Sequence, residues 1–225
     1  MRTFLSLMCA GFFIASGFAG ARASDPDVIA APPTFTVGDT WTFKAYRTLD
    51  EARTPGSDHI RVTTGVVREV RDNGDVLIVD PQGNPSALRN RDFNLIERQT
   101  DRRVRTYKPF WPLYRYPMRI GDRYDAEVTH DHSTRSGVTI ARKATVRVVG
   151  WETVTVPAGT FRAIKVETSG EYRTSDNNSN GTFKEAAWLA PVAKMLFVLS
   201  SYEEDWGASG GRARNYFALD SFALK

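Results

Sequence analysis

The sequence predicts an all-β domain, built as an antiparallel curved sheet or open half-barrel, with a β-sandwich as the alternative. Three observations carry this. Apolar residues recur at every second position in several runs, turn-forming residues separate those runs at short intervals, and the chain leaves room for at most a short helix or plug segment near 88–118.

The first 23 residues read as a signal peptide. Arg2 gives a positive start, an apolar stretch follows, and Ala21-Arg22-Ala23 puts small residues where a signal peptidase reads. Cys9 sits inside the apolar stretch behind Met8, a poor match to a lipoprotein cleavage site. Cleavage after Ala23 removes this single cysteine, and an exported chain without cysteine points to a bacterial periplasm. Residues 24–33, with Pro26, Pro32 and Pro33, read as an N-terminal linker, and residues 34–225 as one β domain.

The chain carries 30 Lys and Arg against 26 Asp and Glu, and two of the arginines lie in the leader. The near balance that remains gives no case for a nucleic-acid partner. No apolar run after the leader reaches spanning length, so peripheral membrane contact is the most to expect.

The period of two is clearest in three runs. Trp41, Phe43 and Ala45 oppose Thr42 and Lys44. Ile60, Val62, Val66 and Val70 share a second face, and Val138, Ile140, Ala144, Val146 and Val148 a third. Val76 to Val79 is apolar on both parities and reads as a central strand, whereas Leu88, Leu95 and Ile96 also fit a helical stripe. Asp72-Asn73-Gly74, Asp80-Pro81-Gln82-Gly83 and the polar stretch 175–181 supply turns.

Between two apolar runs, Pro157-Ala158-Gly159 predicts a type I turn with glycine in the left-handed region, a hairpin with a bulge. Beyond it Phe161 and Ala163 share one parity, Ile164 and Val166 the other, which predicts a second irregularity. A faint internal echo links Val37-Gly38-Asp39-Thr40-Trp41 to Ile120-Gly121-Asp122-Arg123-Tyr124, compatible with duplication of a four-strand unit or with strand starts that look alike.

The Val156-Pro157-Ala158-Gly159-Thr160-Phe161 hairpin, followed by Trp188-Leu189-Ala190-Pro191, resembles a group of exported bacterial β-proteins without assigned function. In that group a Trp-Tyr-Ala-Pro stretch begins a strand; here Leu189 replaces the tyrosine. The resemblance implies a curved antiparallel sheet, similar to the half-barrels that carry lipoproteins or lipids in the periplasm. It implies no catalytic residue.

Several clusters invite a chemical reading. His130 and His132, two apart on a strand, could share a metal with His59 or Glu127, but solvated loop histidines are commoner and no metal or other cofactor is expected. Gly207-Ala208-Ser209-Gly210-Gly211 matches a nucleophile-elbow pattern, yet no histidine follows Ser209. Glu203, Glu204 and Asp205 read as a solvated strand end. From Arg89 to Arg123, basic residues alternate with Tyr107, Phe110, Trp111, Tyr114 and Tyr116, a mixture that grips anionic amphiphiles or plugs a core.

The expectation is a non-enzymatic periplasmic binding or carrier domain for an envelope lipid, lipoprotein or glycan. Trp41, Phe43, Trp111, Tyr114 and Trp188 are expected near a concave face, with Arg115 and Arg119 at its rim for an anionic head group. The alternatives are an interaction or structural module with a filled core, and a metal-dependent enzyme.

Overall fold

The computed structural model describes residues 27–225 apart from 101–102, 133–134, 195 and 208–209. The leader with Cys9, and Ser209, lie outside the described residues.

A short strand, β1 (Val28–Ile29), lies in the stretch expected to be a linker. Six strands follow: β2 (Thr40–Tyr46), β3 (Arg61–Val70), β4 (Val76–Val79), β5 (Pro85–Arg89), β6 (Leu95–Thr100) and β7 (Arg103–Trp111). β8 (Met118–Arg119) pairs with β1. Six more then complete the chain: β9 (Arg123–Asp131), β10 (Thr139–Val156), β11 (Gly159–Thr174), β12 (Asn180–Ala190), β13 (Leu196–Trp206) and β14 (Gly211–Ala223).

Both runs of six are antiparallel, and they join into one closed twelve-stranded barrel. This corrects the open half-barrel and the sandwich. β14 pairs with β2 from Tyr216↔Tyr46 to Ala223↔Thr40, and β7 pairs with β9 at Tyr107↔His130 and Lys108↔Thr129. Closure removes the two exposed edges an open sheet would leave. On β9 and β10 the outward residues include Arg123, Asp125, Glu127, Lys143 and Arg147, while Val128, Ala144, Val146 and Val148 are buried. That is the reverse of a lipid-facing barrel wall.

The echo has a structural counterpart. Gly38 and Gly121 both take positive φ, 95° and 88°, where a side chain would be strained. Gly38 N–H donates to Val67 O and Val67 N–H to Asp39 O; Gly121 N–H donates to Val148 O and Val148 N–H to Asp122 O. The same turn therefore opens each run, and each run has six strands where the duplication reading expected four.

Some local expectations change. The 88–97 stretch is strand, turn and strand: Asn90 Oδ1 accepts from the Asp92 and Asn94 backbone N–H groups, which turns the chain instead of coiling it. The helix lies elsewhere, at α1 (Leu49–Arg53), held by a capping box of Thr48 and Glu51 that seats Ala52 in the core. On β3 the predicted face is inverted: Ile60 and Val62 are 59% and 47% exposed, and Val67 is 1% exposed. Trp41 and Phe43 stand opposite Gly65 and Thr63, and a Cβ at Gly65 would come within 2.9 Å of Ile78 Cγ2 on β4. The Trp188-Leu189-Ala190-Pro191 stretch ends β12 and leads into a 3₁₀ turn, Pro191–Ala193, instead of starting a strand.

Pro157-Ala158 does form a bend, between paired Val156 and Gly159. The bulge lies far from it, at Val149, where Val148↔Val166 gives way to Gly150↔Lys165. That shift faces Val166 and Lys165, so the expected second irregularity is present, but the extra residue lies in β10 and β11 keeps its own alternation. Ala163 packs in one apolar cluster and Ile164 in another, and Trp188 and Leu189 divide the same way on β12. Adjacent strand residues point to opposite faces, so this wall is buried on both sides.

One end of the barrel is tied by a buried ion. Asp39, fully buried, accepts from Lys194 Nζ at 2.5 Å, from Thr36 N–H at 2.7 Å and from Lys225 N–H at 2.9 Å. Burial works to raise its pKa, but the Lys194 and backbone hydrogen bonds outweigh it and hold the carboxyl below its usual value of 3.8. Its stabilisation is therefore present above that pH and lost as pH falls through the depressed value. Asp39→Asn should cost about 3–5 kcal/mol in neutral urea melts, because it leaves the Lys194 charge without its partner. The loss should shrink as the pH approaches 3.

Candidate functional site: an arginine held among aromatic rings

The opposite end of the barrel carries the hairpin turns that follow β6, β9, β11 and β13. Just inside them the strands point polar side chains inward. β10 supplies Arg142, 8% exposed, on the same parity as buried Ala144, Val146 and Val148. Register sets its neighbours: Arg142 opposes Tyr172 on β11, and His130 on β9 opposes Tyr107 on β7. On β12 and β13, Phe183 opposes Glu204 and Glu185 opposes Tyr202.

Arg142 Nη2 donates to Glu204 Oε2 at 3.0 Å, and Arg142 Nε donates to His130 Nε2 at 3.1 Å. Its guanidinium also lies 4.7–5.8 Å from the ring centres of Phe183, Tyr172, Trp111 and Tyr202. Tyr202 OH and Trp206 Nε1 donate to the Glu204 carboxylate as well. Burial works to lower the Arg142 pKa, but Tyr202 and Glu204 outweigh it and raise the value, so the guanidinium stays a cation.

The hydrogen bonds fix the state of His130. Its Nδ1–H donates to the Asp131 carbonyl at 3.0 Å, which leaves Nε2 bare to accept from Arg142. Burial, with Arg142 and Arg105 nearby, pushes its pKa down to about 4 against the Asp131 hydrogen bond. With both ring nitrogens engaged, His130 is not free to bind metal, and no group of three or more His, Cys, Asp or Glu is placed to hold an ion among the described residues.

Glu185 accepts from Trp111 Nε1 at 3.1 Å. Desolvation raises its pKa from 4.5 to about 7, against the opposing pull of Arg142 and Trp111. Trp111, Glu185, Tyr202 and Glu204 face inward yet keep partial exposure, so water reaches this layer.

The seven expected site residues are not gathered in one place. Trp41 and Trp188 belong to the first apolar cluster, with Phe43 packed against it. Trp41 Nε1 donates to Ala193 O, and Trp188 Nε1 to Glu152 Oε2. Trp111 and Tyr114 lie in the second cluster. Tyr114 is clamped by buried Asn94, which accepts from its N–H at 2.7 Å and donates to its carbonyl at 2.8 Å. Leu113, Tyr114 and Met118 are buried here, so the segment after β7 is a plug. Arg115 and Arg119 stay exposed; Arg115 stacks on Tyr124 at 4.4 Å, and Arg119 N–H donates to Asp122. Of the seven, Trp111 alone touches the arginine cluster.

Sequence reasoning passed over Arg142, Glu185, Tyr202 and Tyr172. The signal for Arg142 was present: it occupies the gap in the alternating series 140, 144, 146, 148. Glu204 was read as a solvated strand end and is instead the ion partner of the buried cation.

No protein-family model matches the chain, and no curated protein matches it. Two solved structures are similar. A candidate lipoprotein from Parabacteroides distasonis ATCC 8503 is 17% identical with a TM-score of 0.50, over 87% of this chain and 100% of that one. A candidate exported protein with a YmcC-like fold, from Bacteroides fragilis NCTC 9343, is 16% identical with a TM-score of 0.48, over the same shares. The first likeness is one of fold alone.

Glu185 supplies a pH test of this layer. A carboxyl whose pKa is raised on folding favours the fold while protonated, so stability falls as pH rises from 4.5 towards 7. Glu185→Gln keeps an acceptor for Trp111 and removes the ionisation. Relative to the parent chain it should gain up to about 3 kcal/mol at pH 8 and nothing at pH 4. Urea melts at the two pH values read the difference; an equal effect at both would show that the fold does not raise the Glu185 pKa.

Proposed function

We propose that this protein is a non-enzymatic binding module of the bacterial envelope that takes an amphiphilic or anionic ligand — lipid, lipoprotein or glycan — at the loop end of the barrel. The observation that carries this reading is Arg142. A buried charged cluster is costlier than an apolar core of the same volume, and a barrel needed only as a scaffold has no use for it. The rings about it offer flat apolar surface beside a cation, which suits a ligand with one anionic group.

Two further observations support the envelope setting. The leader reads as a secretory signal, and a structure that resembles this chain in fold belongs to a candidate lipoprotein. The resemblance of the Val-Pro-Ala-Gly-Thr-Phe hairpin to exported β-proteins points the same way.

A second reading has its own support. Two hollows among the described residues are open depressions, one at residues 69–73 and one over β9–β11 between Arg115 and Glu171. A carrier that encloses an acyl chain needs a closed apolar cavity, so the filled-core interaction module is the alternative.

Native mass spectrometry of the protein purified gently from envelope fractions tests the choice. A retained ligand mass that disappears in Trp111→Ala supports binding at the loop end. Bare protein under all gentle conditions favours the filled-core module.

A further inference from the structure

Two guanidinium groups at the loop end have N–H groups without a partner. Arg142 Nη1 and Arg105 Nε are both buried and make no hydrogen bond. Both arginines act on His130, and Arg105 Nη1 donates to Tyr107 OH at 3.5 Å while the Tyr107 and His130 rings lie 5.0 Å apart. The unspent donors therefore belong to one small region beneath the hairpin turns. Nη1 carries two hydrogens and Nε one, and buried N–H groups left unmatched are costly.

The local charge is also incomplete. Arg142 and Arg105 bring two positive charges, and Arg142 is paired with Glu204. Among the described residues no ion pair is formed by Arg105, and His130 is held neutral by its two hydrogen bonds. Glu185 is committed to Trp111. Asp131, the carboxylate beside them, accepts from the Thr106 N–H. A monoanionic carboxylate therefore suits the unspent donors better than a phosphate dianion.

We infer that the loop end of the barrel is a carboxylate subsite, in which Arg142 Nη1 and Arg105 Nε receive the carboxylate of an acidic sugar or a small organic acid. The inference rests on the binding reading above and names its chemistry. A planar carboxylate has two oxygens and accepts in-plane from guanidinium groups, so three N–H donors satisfy it. Tyr172, Tyr202 and Trp111 cover the guanidinium from the sides, so a ligand must displace a ring to reach Nη1. Binding is consequently coupled to movement of an aromatic side chain.

Calorimetric titration of the full chain with glucuronate, acetate, glucose and inorganic phosphate provides the test, with tryptophan fluorescence recorded in parallel. Glucuronate should bind, glucose should not, and phosphate should bind at least about tenfold more weakly than glucuronate. Acetate binding as tightly as glucuronate assigns the site to small acids, and weaker acetate binding assigns it to acidic sugars. Arg105→Gln should weaken glucuronate about tenfold or more. It leaves the Arg142–Glu204 pair in place, so it stays informative even if Arg142→Gln does not fold. No heat with glucuronate or acetate, equal binding by Arg105→Gln, or equal binding of glucose would overturn the subsite. In those cases a ligand mass retained from envelope fractions would still uphold the wider binding reading, so the two fail separately.

Discussion

A guanidinium ion inside an apolar barrel needs its charge matched and its planar faces covered. Glu204 matches the charge of Arg142, Glu204 and His130 bond Nη2 and Nε, and four rings surround the ion, while Nη1 makes no hydrogen bond. The partners come from β7 and from β9 through β13. None is close in sequence, so the cluster exists only because the strands are in one fixed register. A slip of one residue on any of them would turn its contribution outward. The polar layer and the closed barrel thus depend on each other.

The rest of the molecule separates naturally around this layer. One end of the barrel is held by Asp39 and Lys194, and the other carries the arginine cluster. Between them the β11 and β12 wall is buried on both faces, dividing the apolar residues into two clusters. Ala163 and Ile164, like Trp188 and Leu189, serve different cores from adjacent positions. Such a wall resists replacement on either face, whereas the outer faces of β9 and β10 stay charged and solvated.

Much of the strand content was legible because a period of two survives in one sequence. Val76 to Val79 form the largely buried strand their apolar run predicts, and the Ala144, Val146, Val148 series lies where the alternation puts it. Closure was not legible, since pairing of β14 with β2 joins residues far apart in sequence and leaves no local mark. The two-sided wall left a mark, the doubled parity at Phe161 to Val166, which alone reads equally well as a bulge. For the site, aromatic and basic composition pointed to Trp111 and Tyr114 but scattered the remaining choices across two cores and the surface. What identifies Arg142 is parity, not composition: a charged residue standing where the series demands an apolar one. The Thr48–Glu51 capping box was equally local and equally readable.

The two seams of the barrel are unequal. Along β14 and β2 the ladder runs the length of the shorter strand, while β7 meets β9 at Tyr107 and Lys108, aided by Thr106 N–H on Asp131. Beyond that point the plug lies beside β9, with Tyr124 OH donating to the Leu113 carbonyl. The ladder there has two residue pairs, so local opening along this line breaks few backbone hydrogen bonds. A path from solvent to the second core would begin at the plug, at the same end of the barrel as the Asp39 turn.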